Sequence, residues 1–222
     1  MISVWFALVT AATATDGPSP EVVLARMREA QLRLSTLSAD LEQVKSYPQL
    51  GIEDPAERGR IFLARSKNGK TSVRMEISEP EVRILTVVGG EYLLYQPRIK
   101  QVLEGKASAG GKKAIFSGIL TGSPEALEEL ERDYRVERAE DGGSVHSGVV
   151  TLRFTARPDT VVYCQILELS VDTTSWLPMR QSCHEPNRSV ITFSLDNVTL
   201  NVPLDPDVFE VAVPLDVERV RG

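Results

Sequence analysis

Cys164 and Cys183 are the only two cysteines in 222 residues, and the chemistry open to them is a disulfide. Val162 to Val171 and Trp176 to His184 read as strands joined by a turn at Asp172 to Ser175. If Val171 pairs with Trp176, the same antiparallel register sets Cys164 opposite Cys183, within bonding reach at a non-hydrogen-bonded pair. Such a bond closes about 20 residues, contributes about 3 kcal/mol in the chain-entropy picture, and belongs to an oxidising compartment. The alternatives are a pair of buried reduced thiols and a register one residue off.

Other reactive-looking groups do not assemble into a site. Gly105 to Lys113 is rich in glycine and lysine, but Gly111 stands where a phosphate loop needs its lysine and Ala114 offers no hydroxyl to a magnesium ion. His184-Glu185 has no second histidine four residues on and runs into Pro186, so helical zinc geometry cannot form, and His146 is the one other histidine. Asp205-Pro206-Asp207 reads as a turn with a helical cap rather than a cation site. Asn187-Arg188-Ser189 and Asn197-Val198-Thr199 are glycosylation sequons that matter only in a eukaryotic secretory route. With no nucleophile elbow and no Ser/His/Asp set, the sequence predicts a protein that is not an enzyme and uses no metal and no cofactor. Arg74 remains, a lone cation between Val73 and Met75 in a segment of apolar alternation. On alternation alone it is a solvent-facing strand arginine.

The elements that must position these residues follow from periodicity. Ser19-Pro20-Glu21 opens a helix, and Val23, Met27, Ala30 and Leu34 give it one apolar face to about Ser35. Period two begins at Leu37 and runs to Tyr47, and residues 51–57 read as an exposed loop. Strands are then predicted at 58–65, 71–77, 81–88, 91–96 and 99–104, separated by Lys67-Asn68-Gly69, Glu79-Pro80, Gly89-Gly90 and Pro97. Val73, Met75 and Ile77 point one way, Ser72, Arg74 and Glu76 the other. A mobile stretch from Gly105 turns apolar at Ala114-Ile115-Phe116, and Ser123-Pro124-Glu125 opens a second helix to about Glu131. Further strands are predicted at 135–138, 148–157, 162–171, 176–184 and 189–201. Short connections make the sheet antiparallel, with helices on one side.

At 42% hydrophobic and 25% charged residues the composition is that of an ordinary globular domain. A net charge of −6 argues against tracking a nucleic-acid backbone or holding anionic headgroups by bulk charge. The first fourteen residues carry no charged side chain, hold an apolar run from Ile2 to Val9 and end in Ala12-Thr13-Ala14, the small-x-small pattern of a signal-peptidase site. That run is too short to span a bilayer, which needs about 20 residues. Residues 1–14 are therefore read as a signal peptide cleaved near Ala14, and 15–222 as a single exported domain; the alternatives are a frayed terminus or a start site set too late, which would have removed a basic n-region.

In this order of elements, Leu37 to Val44, Gly59-Arg60-Ile61, Val73-Arg74-Met75, Gly90 to Tyr95, Lys100-Gln101-Val102, Leu195 to Val202, Leu204-Asp205, Phe209 and Val213 to Val217 resemble the LolA family of periplasmic lipoprotein carriers. The resemblance implies an α+β fold, an unclosed, half-open antiparallel β-barrel with a helical lid over its concave apolar face. It implies a monomer that takes acylated lipoproteins from an inner-membrane ABC-type lipoprotein-releasing complex and passes them to an outer-membrane lipoprotein receptor. The lipid cavity and lid latch would draw on Arg74, Val73, Met75, Leu93, Tyr95 and Phe116, with Arg74 standing where the family's release-controlling arginine stands. The alternative on the same fold is a periplasmic lipid or lipoprotein sensor that regulates rather than ferries. A secreted hydrolase is a remoter class.

Overall fold

The computed structural model describes residues 17–66, 69–107, 124–139 and 148–221. The leading helix α1, Pro20–Arg33, starts as its proline dictates; the Ser19 side chain makes no capping bond, and its backbone carbonyl accepts from Val23 N at 3.0 Å. It ends at Arg33, two residues short of the prediction, because Leu34 is already extended. Val23, Leu24, Met27, Ala30 and Gln31 form its buried face.

Strand β1, Thr36–Tyr47, is the centre of one thirteen-stranded sheet. On one side it pairs with β3, Glu57–Arg65, and a meander runs outward through β4, Thr71–Glu79, β5, Arg83–Val88, β6, Glu91–Gln96, and β7, Gln101–Lys106. On the other side it pairs with β12, Val190–Leu200, followed by β11, Pro178–His184, β10, Ile166–Asp172, β9, Val149–Ala156, and the edge strand β8, Tyr134–Arg138. A two-residue β2, Ile52–Glu53, folds back on β1 inside the predicted loop. Between the meanders stands α2, Pro124–Asp133. No helix of the described residues is long and apolar enough to cross a membrane.

Gly89 and Gly90 have φ of 62° and 86°. Both central residues of a two-residue hairpin turn of this kind need positive φ, which glycine adopts without strain. The turn therefore fixes Val88 opposite Glu91 and the register of everything beyond.

Burial follows the alternation. Leu37, Ala39 and Leu41 of β1, Ile61 and Leu63 of β3, Val150, Leu152 and Phe154 of β9, and Leu167, Leu169 and Val171 of β10 are all buried on the face that also receives α1 and α2. We call this the inner face. The sheet is open, ending at β8 and at β13, Glu218–Arg221, so the half-open α+β architecture with helices over one face is observed. One correction concerns the sheet's direction. Strand β13 pairs with β7 in parallel, Glu218 beside Gln101 and Arg221 beside Glu104. A parallel neighbour needs a crossover, and the chain from Asn201 to Val217 supplies it.

Candidate functional site

Cross-strand register builds two apolar rows on the inner face. Leu63 pairs with Val73, Val73 with Val87 and Val87 with Tyr92; Ile61 pairs with Met75, Met75 with Leu85, Leu85 with Leu94 and Leu94 with Leu103. The core beneath the helices takes in Ile61, Leu63 and Ile77, with Val73 and Met75 packed against it, and draws no described residue from β5, β6 or β7. Leu85, Val87, Tyr92, Leu94 and Leu103 are half-buried. They form an apolar wall continuous with the core.

A cavity of about 170 Å³ opens on this wall, lined by Gln43, Glu57, Met75, Ile77, Arg83, Leu85 and Leu94. One end is polar. Gln43 Nε2 donates to Glu57 Oε2 at 3.0 Å, Arg83 Nη2 pairs with the same carboxylate, and Arg83 Nε is buried without a partner among the described residues. The hollow is thus apolar along Met75, Ile77, Leu85 and Leu94 and closed at one end by paired charges. An apolar void of roughly this size holds a molecule like benzene, so a long chain needs the wall beyond it as well. Among the described residues no group of three or more His, Cys, Asp or Glu side chains forms a metal site.

The structure places five of the six residues proposed from the sequence, on two faces. Val73 and Met75 lie on the inner face. Arg74, Leu93 and Tyr95 lie on the outer one, since Arg74 pairs with Thr86 and Thr86 with Leu93, while Tyr95 pairs with Ile84 and with the buried Val102. Phe116 lies outside the described residues, as do the signal peptide and most of the Gly105–Lys113 stretch.

Arg74 is engaged by the C-terminal crossover. Its Nη1 donates to the carbonyls of Val208 at 3.0 Å and Glu210 at 2.7 Å, and its Nε donates to Glu76 Oε1 at 2.7 Å, leaving the side chain 12% exposed. The turn that presents those carbonyls, Pro206–Phe209, is capped by the Asp205 side chain, which accepts from Asp207 N at 3.0 Å, the helical cap predicted at this place. A cleft of about 900 Å³ lies beside it, lined by Thr86, Val88, Leu93, Phe209 and Val211 among others.

The wall residues Leu85, Leu94 and Leu103 were missed as a site by sequence reasoning. The signal was present: counting outward from the Gly89-Gly90 turn puts Leu94 opposite Leu85, on the face of Met75. Arg83 and Glu57 carry no such signal, because they meet across β4.

The two cysteines are joined, with Cα atoms 5.2 Å apart, although not in the predicted register. Cys183 pairs with Leu167, Val171 pairs with Pro178, and Cys164 stands in the loop ahead of β10. The turn is longer than periodicity indicates because Asp172 accepts from the Ser175 backbone and hydroxyl, at 2.6 and 2.7 Å, and holds it. Tyr134 donates to the Cys164 carbonyl at 2.8 Å, and burial pushes its hydroxyl pKa up to about 12. Nearby, Lys45 Nζ lies 3.1 Å from Glu185. Burial pushes the Glu185 carboxyl up, but bonds from Ser189, Tyr163 and Lys45 outweigh it and hold the group below its ordinary range. Burial and the bond to Glu185 push Tyr163 up to about 12.

No family model and no curated protein matches the sequence. Solved structures do. An uncharacterised conserved protein from Thermus thermophilus is 11% identical over 91% of this chain and 98% of its own, with a TM-score of 0.57. MucB, which is also known in complex with MucA from Pseudomonas aeruginosa, is 13% identical with a TM-score of 0.57; the match covers 89% of this chain and 64% of MucB. A LolA superfamily protein from Nitrosomonas europaea, 12% identical, aligns over 88% of this chain and 99% of its own at a TM-score of 0.40, a distance at which the likeness carries no argument alone. What the likenesses to the Thermus thermophilus protein and to MucB support is the fold, here a half-open, largely antiparallel sheet with helices on its inner face, the architecture the resemblance to the LolA family implied.

Proposed function

We propose that this chain is an exported, non-enzymatic protein that binds the acyl chains of a lipid or lipoprotein against the inner face of β4 to β7. One observation carries the reading: the apolar wall of Val73, Met75, Leu85, Val87, Leu94 and Leu103 runs on from the helix-covered core into strands from which no described residue joins that core. Covering acyl methylenes is worth roughly 0.8 kcal/mol each, so a chain laid along this wall recovers a large hydrophobic free energy. In the finer form of the proposal the protein is a periplasmic carrier, loaded by an inner-membrane ABC-type complex and unloaded at an outer-membrane receptor.

A second reading is a periplasmic sensor on the same fold. It is favoured by the likeness to MucB, a protein seen in complex with MucA. Native mass spectrometry of the protein purified from the periplasm tests both. Co-purified acylated protein supports the carrier, a bound protein partner without acyl mass supports the sensor, and protein free of acyl mass even after incubation with a lipoprotein overturns lipid binding.

A further inference from the structure

Arg83 stands at the polar end of the inner-face cavity with donor capacity that the fold does not use. Its Nη2 pairs with Glu57 Oε1, while Glu57 Oε2 is held by Gln43 Nε2 at 3.0 Å, and Arg83 Nε has no hydrogen-bond partner among the described residues. A carboxylate can engage arginine at two points through parallel N–H···O bonds; here one of its oxygens goes to Gln43 and that fork is not made. The guanidinium carries five N–H donors and no acceptor, so what this end of the cavity lacks is an acceptor. The Arg83 side chain is 33% exposed and lines the cavity with Met75, Ile77, Leu85 and Leu94, which puts the guanidinium within reach of an occupant.

Charge decides which acceptor fits. Arg83 and Glu57 together are neutral. An anionic head would meet Arg83 beside a carboxylate that already claims it, and the three charges would sum to a net negative one next to Leu85 and Leu94, where hydration is reduced. A cationic head would find both Glu57 oxygens engaged. An uncharged carbonyl accepts from the guanidinium and leaves the ion pair in place.

We propose that Arg83, held by Glu57, is the specificity-determining residue of the lipid site: it donates to the linkage carbonyl of an acylated ligand and discriminates against the same chain carried as a free carboxylate. Glu57 is then the positioning residue that keeps the guanidinium from attracting anions. This inference rests on the lipid-binding reading above and adds to it the chemical state of the chain's head.

The test uses the full chain and three probes with the same twelve-carbon chain, methyl laurate, dodecyl methyl ether and laurate, each displacing a fluorescent acyl reporter. Wild-type protein should bind the ester about tenfold more tightly than the ether, whose oxygen is a weak acceptor, the scale of one hydrogen bond to a charged donor. It should also bind the ester more tightly than laurate. In Glu57→Gln the guanidinium loses its counter-charge, so laurate should gain on the ester by about tenfold. In Glu57→Gln with Arg83→Met, which leaves no unpaired charge, that gain and the preference for ester over ether should both disappear. An unchanged laurate-to-ester ratio in Glu57→Gln, or a gain that persists in the double variant, overturns the role of Arg83 and leaves lipid binding standing. Equal wild-type affinity for ester and ether does the same and needs no variant to fold. Binding of none of the probes by wild-type protein overturns the lipid-binding reading and this one with it.

Discussion

Replacing Arg74 with methionine keeps an unbranched chain on the outer face of β4 while deleting the two bonds, 3.0 and 2.7 Å long, that pin the carbonyls of Val208 and Glu210. Hydrogen bonds to a charged donor contribute about 1.5–3 kcal/mol each. Glu210 is exposed, so water replaces the lost donor at its carbonyl, and Glu76, 35% exposed, is rehydrated as well. The sum therefore falls toward the low end, about 2 kcal/mol in all. For a chain of this size that is a fall in melting temperature of about 4–8 °C. The loss should be local first: the amides of Val208 and Glu210, which donate to Asp205 and Asp207, should exchange with solvent roughly 30-fold faster. The amide of Val23 in α1 should keep its protection. Hydrogen exchange read by mass spectrometry distinguishes the cases. Unchanged exchange at residues 205–211 would refute the pinning, and loosened α1 would relocate the action of Arg74 to the helices.

Three further outcomes follow from the geometry. Cys164→Ser with Cys183→Ser, or reduction of the bond, should lower stability by about 3 kcal/mol, read by urea unfolding, and oxidised protein unfolded in denaturant should show no free thiol; two labelled thiols would contradict the pairing. Because the Glu185 carboxyl is held below its ordinary value of 4.5, its contribution is present above that pH and lost as pH falls through the depressed folded value. Melting curves from pH 7 to about 3 should therefore fall less steeply for Glu185→Gln than for wild type. Gly59→Ala should disrupt the pairing of β3 with β4, because a Cβ there meets the Glu76 carbonyl oxygen at 1.7 Å; the cost, about 3 kcal/mol or more, would appear as a lowered urea midpoint, and a wild-type midpoint would contradict the close approach.

The helices and most strands were legible because their signals are local. Ser19-Pro20-Glu21 fixes the start of α1, Gly89-Gly90 fixes one hairpin, and strict alternation in Val150, Leu152 and Phe154 shows one buried face. What was not legible depends on partners distant in the chain. Arg74 stood out as a cation among apolar residues, and alternation correctly set it opposite Val73 and Met75. Nothing local indicated that residues 208 and 210 would cross the outer face to meet it. The wall was half legible: Met75 was named, but Leu93 was taken with it where the register supplies Leu94. The disulfide was predicted through a pairing that the structure does not contain, and it forms with Cys164 held in the loop ahead of β10, its Cα 5.2 Å from that of Cys183. A buried amide such as Gln31 has no signature in a single sequence, since its helical position reads equally well as the edge of an apolar face.

Leu93 and Leu94 are adjacent in sequence and lie on opposite faces of β6, so together they test where a lipid is held. The decisive measurement is the affinity of a fluorescent fatty-acyl probe for wild-type protein, Leu94→Glu and Leu93→Glu, each first shown to be folded by circular dichroism. A charge at Leu94 should weaken binding by at least about tenfold, since a carboxylate on an apolar wall must either stay solvated or be protonated. The same charge at Leu93 should leave affinity within about twofold. Loss of binding in Leu93→Glu with retention in Leu94→Glu would place the ligand on the outer face, in the cleft beside Phe209, and would contradict the account.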